Sequence, residues 1–223
     1  MQTIDLNEQS NASVHYVDTL EDCARGTVKL LSHGNVALSG GDTYTRLFRM
    51  WRSLAPDITS ASFFPVDEGI VPFEDVHSNW GTAYKEFLLP LGKGEDAAHF
   101  ASSLDRYSEI LTNYFNNSEI VFDTIFLGVG DDGHTASLFP GERYLDDTTS
   151  VLLQTKGPKP PVDRITLAPK VLKTAKKIIT IVAGENKRRV ADQLLARNNN
   201  LPVVKVLSQR TDSAVYIERN LIT

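Results

Sequence analysis

A chain of 223 residues, 41% hydrophobic and 23% charged, is long enough to bury a substantial core and has the balance of an ordinary globular protein. Its net charge of −5 speaks against a nucleic-acid or anionic-membrane partner, although an anionic substrate can still be held where the local site is positive. Cys23 is the one cysteine, which excludes an intrachain disulfide and a cysteine-based zinc site.

The opening residues carry no basic stretch leading into an apolar core. The longest strongly apolar run, Ile178 to Ala183, is too short to cross a bilayer. A cytoplasmic protein is expected. In chain order the patterning predicts a helix over 19–32, a strand over 35–38 and a helix over 43–54, where Leu47, Met50, Trp51 and Leu54 form a stripe at i, i+3, i+4 and i+7. A strand over 61–66 and helices over 78–88 and 101–115 follow, then strands over 123–128 and 150–154. The rest reads as a helix over 168–175, a strand over 177–183, a helix over 186–197 and a strand over 203–207. Strands alternating with helices predict a single α/β domain over 1–223, with a doubly wound, largely parallel, Rossmann-like sheet flanked by helices. The proline-rich stretch Lys156-Gly-Pro-Lys-Pro-Pro161 reads as a stiff surface loop or as the boundary of a small appended substructure.

In such sheets ligands gather where strands run into helices, so four loops carry the chemistry. In Leu38-Ser-Gly-Gly-Asp-Thr43, Gly40 and Gly41 permit close backbone approach, and the helix that follows offers free amides to a phosphate. A plain turn with Asp42 or Thr43 as helix cap fits the same residues. In Pro65-Val-Asp-Glu-Gly69 the paired carboxylates Asp67 and Glu68 could supply or orient a base, or form a solvated acidic turn. His77 reads as a surface residue, and Ser78-Asn79 as the cap of the next helix.

The third loop, Gly128-Val-Gly-Asp-Asp-Gly133, matches the spacing of a dinucleotide fingerprint. Asp131 and Asp132 would put two negative charges where a pyrophosphate sits, and Pro140 follows too soon for the helix that should bind it. What remains is a glycine-rich turn presenting His134 beside carboxylates, the pattern of a general base that activates water. A histidine that merely fills the turn, or a metal site of Asp131, Asp132 and His134, would use the same residues. The fourth loop, Ala183-Gly-Glu-Asn-Lys-Arg-Arg189, places Lys187 in a helix's first turn, where a cation is unfavourable unless it faces an anion; Arg164 is a second candidate cation. Both could instead belong to solvated basic faces. No G-x-S-x-G elbow is present, so Ser137 is not read as a nucleophile.

Leu38-Ser-Gly-Gly41, Asp67-Glu68 with Val71-Pro72 and Ser78-Asn79, Gly128 through Pro140, Arg164-Ile-Thr-Leu167, and Gly184 with Lys187 together resemble the 6-phosphogluconolactonases. The likeness is collinear from about residue 14 to the C-terminus. It implies hydrolysis of 6-phospho-D-glucono-1,5-lactone in the oxidative pentose phosphate pathway, without metal or cofactor; separately, the absence of an obvious apolar surface helix makes a monomer the default expectation. By that resemblance His134 deprotonates water and Asp67 positions substrate or base. Ser39, Gly40, Gly41, Thr43, Arg164 and Lys187 bind the phosphorylated substrate. Two departures stand out. Gly69 replaces the family's usual arginine, for which Arg46, Arg143 or Arg164 could substitute, and Asp42 and Tyr44 alter the phosphate loop. Related aminosugar-phosphate deaminases and isomerases share the Asp-Gly-His turn, but Ser137-Leu-Phe-Pro140 departs from their pattern. Gly69 keeps open a third reading, a catalytically weak paralogue that only binds sugar phosphates.

Overall fold

The computed structural model describes residues 2–7, 10–94, 96, 99–208, 210 and 212–222. The first third of the chain runs β1 (Gln2–Asn7), β2 (Ser10–Val17), α1 (Leu20–Thr27), β3 (His33–Leu38), α2 (Asp42–Ser53), β4 (Ser60–Pro65) and β5 (Asp67–Gly69). Then come α3 (Asn79–Ala83), α4 (Leu104–Tyr114), β6 (Thr124–Gly128), β7 (Leu152–Lys156) and β8 (Asp163–Leu167). The chain closes with α5 (Pro169–Thr174), β9 (Lys177–Val182), α6 (Arg188–Leu195), α7 (Pro202–Leu207) and β10 (Ser213–Glu218).

Seven strands form one sheet in the order β1-β2-β10-β9-β6-β3-β4. Every neighbouring pair is parallel except β1 with β2, so the doubly wound, largely parallel expectation holds. Alternate residues feed two cores, one on each face, as the two-residue period of a strand requires. Ile125 and Leu127 enter one core while Phe126 enters the other, and Phe64 and Phe63 divide the same way. Helix α2 buries Tyr44, Leu47, Phe48 and Trp51 on its sheet-facing side, leaving Met50 and Leu54 half-buried at the edge of that stripe. Trp51 meets Phe126 edge-on at 5.1 Å and Phe48 stacks on Phe87, an aromatic layer between helix and sheet.

The appended substructure is a second, antiparallel sheet ordered β5-β8-β7, so the run near 150–154 leaves the main sheet. The Lys156–Pro161 stretch is the loop of the β7–β8 hairpin. The expected strand over 203–207 is instead helix α7. Pro202 occupies its first turn, and Pro202, Val203, Val204, Val206 and Leu207 are all buried. A short apolar run buried all round has no readable period. Its expected place in the main sheet belongs to β10, lying between β2 and β9.

Candidate active site

Strand order reverses between β3 and β6, and the loops leaving their carboxyl ends open onto one cavity of about 480 Å³. Ser39, Gly40, Gly41 and Thr43 line it, with Asp67, His134, Arg164 and Lys187, so all eight residues expected from the sequence come together. His77, Asn79, Arg46, Asp42 and Asp131 also face it, while Arg143 does not.

The glycine loop leaves the next helix without a side-chain cap. Helix α2 starts at Asp42 after Gly41, whose φ of 85° puts it in the left-handed region. No side chain caps the first amides of α2, so neither Asp42 nor Thr43 takes the capping role. Gly40 lies against Asn79: a Cβ on Gly40 would come within 2.1 Å of the Asn79 Oδ1. Asn79 in turn donates from Nδ2 to the Asp67 carbonyl at 3.2 Å, tying the first loop to the second.

The paired carboxylates divide their work. Glu68 is buried and accepts from the backbone amides of Gly69, Asn79 and Trp80 and from the Ser78 hydroxyl. It therefore anchors the start of α3 and does not face the cavity. Burial pushes its carboxyl up to about 7, against the pull of those donors. Asp67 faces the cavity. The Ser137 hydroxyl donates to its Oδ2 at 2.7 Å, and an Arg164 guanidinium nitrogen stands 4.0 Å from the same oxygen. Burial raises the Asp67 carboxyl, while Ser137, Arg164 and His134 each pull it back.

After β6 the chain turns tightly, with the Gly133 amide donating to the Gly130 carbonyl at 3.1 Å, and no α-helix starts from the turn; the next element is a single 3-10 turn at Arg143–Asp146. This disposes of the dinucleotide fingerprint. Asp132 Oδ1 accepts from the His134 backbone amide at 3.0 Å and lies 2.5 Å from its Nδ1. One carboxylate thus closes the turn and orients the imidazole. That contact holds the Asp132 carboxyl down at about 2, so it is ionised at any ordinary pH. An ionised partner accepts a hydrogen bond from the proton on Nδ1 and leaves Nε2 as the basic nitrogen. Phe139 packs against the ring at 5.1 Å. Gly130 has no alternative, because a Cβ there would lie 2.1 Å from the His134 Nδ1. Among the described residues, no three His, Cys, Asp or Glu side chains stand close enough to share a metal ion.

Lys187 follows Gly184, whose φ is 99°. Burial lowers its ammonium, opposed by the charges of Asp131, Asp132 and Asp42. Buried Glu218, at the end of β10, accepts the Gly184 amide at 2.8 Å and fixes this loop. Sequence reasoning missed Glu218; it read Asn79 as part of a helix cap and Pro160-Pro161 as a surface loop or boundary, so their places on the cavity were not anticipated, nor was the bond from Ser137 to Asp67. Cys23 is buried, its thiol pushed up to about 12 by that burial, and does not line the cavity.

Among known proteins, the family described as glucosamine-6-phosphate isomerases/6-phosphogluconolactonase matches residues 7–216. The 6-phosphogluconolactonase 4 of Saccharomyces cerevisiae is 34% identical over 194 residues, covering 77% of this chain and 76% of that protein. The structure of 6-phosphogluconolactonase from Trypanosoma brucei is similar with a TM-score of 0.72 at 21% identity, covering 94% of this chain and 97% of that one. A monomeric glucosamine-6-phosphate deaminase also gives 0.72, at 19% identity, covering 94% of this chain and 98% of that one. Backbone shape alone therefore does not separate the two chemistries.

Proposed function

This chain belongs to the glucosamine-6-phosphate isomerase and 6-phosphogluconolactonase family, and on that premise we propose that it hydrolyses 6-phospho-D-glucono-1,5-lactone to 6-phosphogluconate, a step of the oxidative pentose phosphate pathway. The observation that carries the proposal is the pairing of His134 with an ionised Asp132 at the mouth of β6.

Nε2 of His134 takes a proton from water as the water oxygen attacks the lactone carbonyl. The tetrahedral oxyanion then collapses, the ring C–O bond breaks, and the same proton passes to the departing ring oxygen. A strained cyclic ester needs only a positioned base and a held substrate, and orientation supplies much of the rate. The uncapped start of α2 offers the amides around Gly41 and Thr43 to the 6-phosphate, with Ser39 and Gly40 shaping the approach and Lys187 supplying charge. Asp67, held by Ser137, positions the sugar. Ser137 and Phe139 fall where the deaminase pattern differs, and here they serve Asp67 and the His134 ring. That usage favours the hydrolase over an aminosugar chemistry. A monomer remains part of the same proposal.

The test is kinetic. His134→Ala is expected to lower kcat by about 10²- to 10⁴-fold, the usual worth of a positioned base. Lys187→Ala is expected to raise KM for the phosphorylated lactone while leaving unphosphorylated glucono-1,5-lactone nearly unaffected. Full activity in His134→Ala would put the base elsewhere and sink the mechanism.

A further inference from the structure

A carboxylate taken out of water persists only where donors surround it, and Glu68, wholly buried, has four. Its Oε1 accepts from the backbone amides of Gly69 at 2.9 Å and Asn79 at 2.8 Å. Its Oε2 accepts from the Trp80 amide at 2.6 Å and the Ser78 hydroxyl at 3.2 Å. Two of these amides open α3, so the side chain of a β5 residue fixes where that helix begins. Glutamine cannot copy this. Each oxygen meets a backbone N–H, so an amide nitrogen in either place would set donor against donor.

The residue seated in this way is Asn79, the first of α3. Its Nδ2 donates to the Asp67 carbonyl at 3.2 Å, and the rest of its side chain lies against Gly40. A Cβ on Gly40 would come within 2.2 Å of the Asn79 Cγ and 2.6 Å of its Cβ, so the contact reaches the base of the side chain and not merely its tip. Asp67 has other supports, from Ser137 and from the pairing of β5 with β8. The glycine loop is bonded on either side of Gly40: the Ser39 amide donates to the Phe126 carbonyl at 3.1 Å, and the Gly41 carbonyl accepts from the Thr45 amide at 2.9 Å. Gly40 itself rests on Asn79, and both line the cavity with Gly41.

Resting on the hydrolase reading, we propose that Glu68 and Asn79 are positioning residues for the phosphorylated end of the substrate: the Glu68 carboxylate seats Asn79, and Asn79 backs the Gly40 turn that leads into the free amides at the start of α2. Without that backing the loop relaxes into the vacated space, and amides aimed at a phosphate lose their convergence.

Steady-state kinetics on two lactones tests this. Asn79→Ala is expected to raise KM for the phosphorylated lactone about tenfold, with kcat moving less than about threefold. Unphosphorylated glucono-1,5-lactone has no phosphate for the loop to hold and should show at most about a third of that rise. Glu68→Gln is expected to act in the same direction, and in an Asn79→Ala background to add less than about twofold, because the residue it seats is gone. Should Glu68→Gln not fold, Gly40→Ala takes its place in the cycle. It breaks the same contact from the other side, so the double variant should lie within about twofold of the poorer single one. A merely structural role would lower the melting temperature and leave KM of the folded protein unchanged, and that result overturns the inference. KM losses that multiply, or equal losses with both lactones, overturn it too. Should the parent protein add nothing to spontaneous hydrolysis, the hydrolase reading fails separately. The cycle is then read on calorimetric affinity for 6-phosphogluconate against gluconate. A coupled loss confined to the phosphorylated acid supports the inference; additive losses, or a parent that binds neither acid, overturn it.

Discussion

Asp132 performs two tasks with one oxygen, and both are open to measurement. Asp132→Asn should keep the turn, because an amide oxygen can still accept from the His134 backbone, yet lose the negative charge that stabilises the ring as it takes a proton. A fall in kcat of about 10²-fold or more is expected, with KM changing little. Its stability signature has a definite sign. The folded carboxyl lies at about 2 against an ordinary 3.8, so its contribution is complete above 3.8 and is lost as pH falls through 2. In thermal melts the gap between parent and Asp132→Asn should close across that window; a gap that stays constant contradicts the pairing. Gly130→Ala, with its Cβ 2.1 Å from the His134 Nδ1, should reproduce the catalytic defect without removing any charge. At this scale much was legible. His134 and the Gly40–Gly41 loop announce themselves because each is a contiguous motif. The tasks of Ser137, Asn79 and Glu218 were not, because their partners Asp67, Gly40 and Gly184 lie far away in the chain and become neighbours only through the fold.

Elements with a clear period were readable, and those without one were not. Helix α2 could be placed because its apolar residues recur on one face, and burial of Trp51 there implies a cost of about 3–5 kcal/mol for Trp51→Ala. Helix α7 defeated the period, since nearly all its residues are buried. The segment after it holds a second unforeseen device. Arg210 is buried and donates to the carbonyls of Leu172, Lys173 and Ala175, closing the end of α5. Arg210→Ala leaves those carbonyls without a donor and should lower unfolding stability by about 2–4 kcal/mol in urea titration, with the m-value unchanged. Arg210→Lys should recover only part, because an ammonium cannot copy the planar fork. A loss below about 0.5 kcal/mol in Arg210→Ala would mean that these contacts do not matter to stability.

Across the whole molecule, alternation of strands and helices was enough to place the site at the carboxyl edge of a parallel sheet, and the reversal of strand order between β3 and β6 fixes where along that edge. The antiparallel sheet β5-β8-β7 was foreshadowed only by a proline-rich interruption, yet it delivers both Asp67 and Arg164 to the cavity. Its pairing joins residues nearly a hundred positions apart, which no local pattern encodes. The chemistry then depends on how loops from both sheets converge, and the fold shared with a deaminase leaves that chemistry to be measured directly. Freshly generated 6-phosphogluconolactone, followed with and without the protein, decides it. The expected result is hydrolysis faster than the spontaneous rate, in proportion to protein concentration, with no ammonia released from glucosamine-6-phosphate in a parallel incubation. Binding of 6-phosphogluconate with no acceleration over spontaneous hydrolysis would contradict the assignment and leave a sugar-phosphate-binding protein in its place.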